Sequence, residues 1–142
     1  MEGWDYRQVR HIPSHLGDGL MARSVLGAIT VPGRPGEVAA ARRFVAKALA
    51  GRPEVDTAVL LTSEAVTNSV VHTDSTMVTV VVLETPAGVR IEVSDEGGDT
   101  LPTMYDGYEL REGRRGVFLI EELSAACGIR RHDDGLTFWF EL

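Results

Sequence analysis

The stretch from Asp56 to Thr73 constrains the fold more than any other part of the chain. No Gly or Pro interrupts it, and Asp56 is a residue type that caps helix starts, so it reads as one helix. On a wheel of about 100° per residue, Val59, Val66 and Val70 form one apolar stripe. Leu60, Leu61, Ala65 and Val71 border a second stripe on the opposite side, which leaves Thr62 and Ser69 to face water. Within that second surface Glu64, Asn68 and His72 follow one another at four-residue spacing and stack on one face. A carboxylate and an amide set among apolar neighbours need partners, because burying them unpaired is costly. A polar seam satisfied by nearby backbone, an exposed strip and a binding row all fit this pattern. His72 also suits a helix C-terminus, where the local dipole favours it.

The elements around this helix define the layers. Ser24 to Val31 reads as a strand closed by Pro32-Gly33 and Pro35-Gly36. Glu37 to Ala50 is a helix with Val38, Ala41, Val45 and Ala48 on one side, ended by Gly51 and Pro53. Thr76 to Glu84 is apolar on both faces, as a central strand should be. Gly88 to Asp95 alternates, with Val89, Ile91 and Val93 on one face and Arg90, Glu92 and Ser94 on a wetter one. Glu96 to Arg115 has no period and carries Gly97, Gly98, Pro102, Gly107 and Gly113, the character of a lid or binding loop. Gly116 to Cys127 is expected to be a helix with Val117, Ile120 and Leu123 inward, stopped by Gly128. Ile129–His132 and Leu136–Leu142 then form a hairpin across Asp133-Asp134-Gly135, with Leu136, Phe138, Phe140 and Leu142 on one face. Residues 1–23 show no period and read as a tail or partner arm, which leaves 24–142 as the domain. Helices and strands occur in runs, so the expected fold is α+β: a two-layer α/β sandwich, its mixed, mostly antiparallel sheet covered by helices on one face.

Composition narrows the function. Fourteen Lys and Arg against 21 Asp and Glu give a net charge of −7, without the basic stripe of a direct nucleic-acid binder. The single cysteine, Cys127, excludes an internal disulfide framework and a cysteine-based zinc site. No apolar run is long enough to span a bilayer, and the N-terminus lacks the apolar stretch of a secretory signal. A cytoplasmic protein is expected, with neither membrane nor nucleic acid as a direct partner.

Two further motifs carry chemistry. Asp95 is in phase with Val89, Ile91 and Val93, so it ends its strand on the core side, just before Gly97 and Gly98. It suits a turn start, or a pocket floor that accepts a hydrogen bond from a ligand amine while the glycines let backbone approach. Gly113-Arg114-Arg115-Gly116 opens a helix, where free N–H groups and the dipole favour phosphate and Arg111, Arg114 and Arg115 add local positive charge; a lid with solvated arginines fits the same residues.

In this order the motifs resemble those of the histidine-kinase-like (GHKL) ATPases, and within them the small bacterial anti-sigma-factor serine/threonine kinases. Leu60 through His72 resembles the N box, Ile91 through Gly97 the first glycine box, and Gly113 through Ile120 the second. The resemblance implies a Bergerat-type fold with ATP and Mg²⁺ between the helical layer and the lid. Asn68 would hold Mg²⁺, Glu64 would act as general base and Asp95 would bind the adenine amino group. His72, Gly97 and Gly98 would complete the nucleotide site on one side; Arg115, Gly116 and Val117 would do so at the last helix. The implied partners are a sigma factor and an antagonist protein phosphorylated on serine or threonine, with a homodimer as the assembly. Arg114 stands where the family's second box has its first glycine, and Asp99 where many relatives have glycine. These two departures keep open a nucleotide-binding or nucleotide-free module of the same fold that sequesters its partner without phosphotransfer.

Overall fold

The computed structural model describes residues 24–72, 75–96, 119–132 and 135–142. The elements are β1 (Ser24–Pro32), a 3-10 turn (Pro35–Glu37), α1 (Val38–Ala48), α2 (Val55–His72), β2 (Met77–Thr85), β3 (Gly88–Asp95), helical residues 119–123, β4 (Ala126–His132) and β5 (Gly135–Glu141). The strands form one sheet in the order β1-β2-β3-β5-β4, and all four neighbouring pairs are antiparallel. This is the α+β arrangement expected, with no parallel pair among the described residues.

Alternation along the strands builds the core in rows. Ile29, Val80, Val93, Phe138 and Ile129 lie side by side across all five strands, and Gly27, Val82, Ile91, Phe140 and Cys127 form the next row. These inner-face side chains pack against Ala41, Val45 and Leu49 of α1 and Ala58, Leu61, Ala65 and Val66 of α2, all buried. Phe44 of α1 approaches the bare Cα of Gly27; a Cβ there would lie 3.0 Å from its ring. Gly51 follows α1 with φ of +85°, a left-handed conformation that glycine adopts without strain.

The structure corrects the sequence reading in several places. The buried face of α2 runs through Ala58, Leu61, Thr62, Ala65, Val66 and Ser69, while Val59 and Val70 are half-buried and Leu60 and Val71 exposed. Thr62 and Ser69 therefore face the core and not water. Small side chains let a helix approach its neighbours closely, whereas a hydropathy wheel is drawn toward the larger Val and Leu. In β2, Val78, Val80 and Val82 are buried, but Val81 and Leu83 are only half-buried, so its outer face is not a second core.

Arg90 reverses its expected place most sharply. It is fully buried: its Nε donates to Glu92 at 2.8 Å and its Nη1 to Glu141 at 3.1 Å. Its guanidinium lies 4.2 Å from the centre of the Trp139 ring. Trp139 in turn covers Gly128, where a Cβ would lie 2.9 Å from the ring. Gly128 is therefore a strand residue and not a helix stop. The helix ends at residue 123, and Ala126 and Cys127 already pair with Glu141 and Phe140. Ile120 is buried as expected, whereas Leu123 is exposed. At the hairpin, His132 pairs with Gly135, so Gly135 belongs to β5. Residues 1–23, the stretch 97–118 and, with it, Val117 lie outside the described residues.

Candidate functional site

The candidate site is built on the last turns of α2 and the end of β3. A four-residue step along an α-helix advances about 40° beyond a full turn, so a row at this spacing drifts around the axis. The drift carries Glu64 and Asn68 from the exposed side toward the core. Glu64 is half-buried, and Asn68, one turn later, keeps only 8% exposure. The Asn68 Nδ2 has no hydrogen-bond partner among the described residues. A buried donor without a partner is costly, so a group outside the described residues or a ligand would satisfy it.

Asp95 closes β3 in phase with the fully buried Val89, Ile91 and Val93, and is itself 8% exposed. The strand alternation fixes this: every second residue of β3 faces the helical layer. Asp95 pairs with Leu136 of β5. The neighbouring Gly135 lies so close to the Asp95 carbonyl oxygen that a Cβ would collide with it.

A cluster that the sequence reading passed over adjoins Asp95. The Glu96 carboxylate accepts from the Thr76 backbone N–H at 3.0 Å and from the Thr76 hydroxyl at 2.8 Å. In return the Glu96 N–H donates to the Ser75 hydroxyl at 2.8 Å. The Thr76 backbone N–H, followed by its hydroxyl, holds the Glu96 carboxyl below its ordinary value of 4.5. The only hint in the sequence is an acidic residue after Asp95 and a hydroxyl pair before β2; nothing local shows that they meet.

His72 is the last residue of α2, and its side chain lies outside the described residues, as do Gly97, Gly98, Arg115, Gly116 and Val117. Among the described residues no three His, Cys, Asp or Glu side chains group as a preformed metal cage. A Mg²⁺ ion binds through one or two protein oxygens together with substrate phosphates and waters. The amide oxygen of Asn68 is a ligand of the hard type such an ion takes. No helix of the described residues is long and apolar enough to cross a membrane.

The described residues thus set a helix bearing Glu64 and Asn68 one turn apart above an antiparallel sheet whose middle strand ends in the inward Asp95. The chain matches the histidine kinase-like ATPase domain over residues 31–141 and belongs to that family. Its domain is thus of the ATP-binding, GHKL type. None of the curated proteins compared with it matches.

Proposed function

We propose that this protein is a regulator of the anti-sigma-factor serine/threonine kinase type, which binds a sigma factor and transfers the γ-phosphate of ATP to a hydroxyl of an antagonist protein. The observation that carries this reading is the placement on α2 of half-buried Glu64 one turn before Asn68, which is buried and whose Nδ2 has no hydrogen-bond partner among the described residues. One group faces the side from which a protein hydroxyl can arrive, and the other faces inward.

Asp95 accepts a hydrogen bond from the adenine amino group, and the Asn68 amide oxygen holds Mg²⁺. When bound, that ion neutralises charge on the phosphates, which phosphoryl transfer requires above all. Glu64 takes the proton of the attacking serine or threonine hydroxyl. The new bond joins that oxygen to the γ-phosphorus, the bond to the β,γ-bridging oxygen breaks, and ADP leaves. For this Glu64 must come within about 2.6–3.2 Å of the hydroxyl, a distance its partial exposure permits once the partner docks.

Phosphorylation of the antagonist by labelled ATP-Mg²⁺ tests the reading. Glu64→Gln keeps shape and some hydrogen bonding, so ATP and partner binding should survive while transfer falls about 10²-fold or more. Equal rates would remove Glu64 from the mechanism. Binding without transfer in the wild type would favour the sequestering module, to which Arg114 and Asp99 point. ADP or ATP at about 100 times its Kd should add about 2.7 kcal/mol of stability, and no thermal shift would sink the nucleotide site itself.

A further inference from the structure

We propose that the N-terminal arm, residues 1–23, docks across the outer face of β3, β5 and β4 and is the cover under which Arg90 and Trp139 are buried.

The outer face, turned away from the helices, is unevenly wet. Ala28, Val81, Glu92, Trp139 and Gly128 form one row across the five strands, and Val25, Leu83, Arg90, Glu141 and Ala126 form the next. In the first row Ala28 is exposed, Val81 and Glu92 are half-buried and Trp139 is buried. In the second, Val25 keeps 61% exposure while Arg90 keeps none. Thr137, on the same face of β5, is buried as well. An uncovered face would wet every strand, so burial confined to β3, β5 and β4 marks a cover over that half. The described helices do not supply it, since α1 and α2 pack on the other side with Val80, Val82, Ile91, Val93 and Phe140. Nor do the immediate neighbours of Arg90 complete it. Glu92 and Glu141 hold the guanidinium by its N–H edge, and the Trp139 ring takes one flat side. The other flat side is shut off from water too, and such a side stacks well under aromatic or apolar groups.

The places where the chain leaves the described residues select the arm. Residues 73–74, 97–118 and 133–134 all join the sheet at its far end, where Ser75, Glu96 and Gly135 meet. The stretch 97–118 leads back to Leu119 and Ile120, which pack in the core. The arm instead joins at Ser24, which pairs with Glu84, itself the partner of Val89 beside Arg90. From Ser24, β3 lies two strand spacings away and β4 four, about 10 and 19 Å, which about six extended residues span. The arm is much longer than that, and it carries Trp4, Tyr6, Val9, Ile12, Leu16 and Leu20. Its Glu2, Asp5 and Asp18 balance Arg7, Arg10 and Arg23, so it crosses the acidic pair Glu92 and Glu141 without net repulsion.

Trp139 reports the cover directly. The chain has two tryptophans, and Trp4→Phe leaves Trp139 alone. In that full-length variant acrylamide should quench Trp139 weakly, and adding Leu16→Asp and Leu20→Asp should raise the quenching constant severalfold. Strong quenching from the outset, or no rise while circular dichroism stays native, overturns the proposal. If those charges unfold the chain, a nitroxide on Gln8→Cys decides; Cys127 is buried and escapes labelling. Amide signals of β3 and β5 should lose intensity while those of α1 and α2 do not. No loss, or loss in the helices instead, refutes docking on this face. Mixing nitroxide-labelled chains with isotope-labelled, spin-free ones should cause no loss. Loss confined to that mixture would put a second copy's arm on the face and reject the intramolecular cover.

Discussion

Arg90→Met isolates the buried charge that β3 carries on the face away from the helices. The substitution keeps an apolar stem but removes the guanidinium that joins Glu92, Glu141 and Trp139. Removing one partner of a buried ion pair costs about 3–5 kcal/mol, because the remaining charge is stranded. Glu92 and Glu141 retain 17% and 15% side-chain exposure, and Arg130 lies 3.8 Å from Glu92, so part of the loss is recovered. These features place the cost at the lower end, about 3 kcal/mol, a large share of the about 5–15 kcal/mol that a domain of this size has in total. With a urea m-value of about 1–3 kcal/mol/M, the unfolding midpoint should fall by about 1–3 M at unchanged m. Circular dichroism during urea titration reads this directly. The triple variant Arg90→Met, Glu92→Gln, Glu141→Gln should recover most of the loss, since its cause is the stranded carboxylates and not lost packing. A loss below about 1 kcal/mol, the scale of a surface pair, would refute the buried hub. So would a triple variant no more stable than the single one.

Val66 is fully buried on α2, so Val66→Asp should cost more than about 4 kcal/mol and abolish the cooperative transition, while Thr67→Asp on the exposed side should stay within about 0.5 kcal/mol by the same titration. Asn68→Ala removes an amide whose Nδ2 has no described partner; the unliganded melting temperature should hold, and calorimetry should show ATP affinity falling only when Mg²⁺ is present. Glu84, through its hydrogen bond and charge pairing with Arg52, and Glu96, through Thr76, both have carboxyls lowered from 4.5. In each case the unfolded chain takes up its proton first, so this stabilisation is complete above 4.5 and is lost as pH falls through the lower folded values. Melting temperatures across about pH 3 to 6 should decline less steeply for Glu84→Gln, Glu96→Gln together than for wild type.

Local pattern is enough to place β2 and β3 as strands and α1 as a helix. Val89, Ile91 and Val93 alternate with period two, so their common face and the inward phase of Asp95 are legible without any partner. The four-residue row of Glu64 and Asn68 is legible for the same reason, as is the fold class, because runs of helices and strands leave few ways to bury their apolar faces. What the chain could not show locally is which groups meet across it. The phase of α2 is hidden because four of its buried residues, Ala58, Thr62, Ala65 and Ser69, are small and approach closely without advertising it in hydropathy, while Leu60 and Val71 are exposed. Arg90 looked wet because alternation assigns a face but not a cover; its burial depends on Trp139 and Glu141, some fifty residues away and brought alongside by the β3–β5 register. Gly128 looked like a helix stop until the ring of Trp139 on the next strand required a bare Cα there. The link from Glu96 to Thr76 spans twenty residues and exists only because β2 and β3 lie side by side. Periodicity is a property of neighbours along the chain and the sequence carries it; a partner is a property of register, and only the closed sheet decides it.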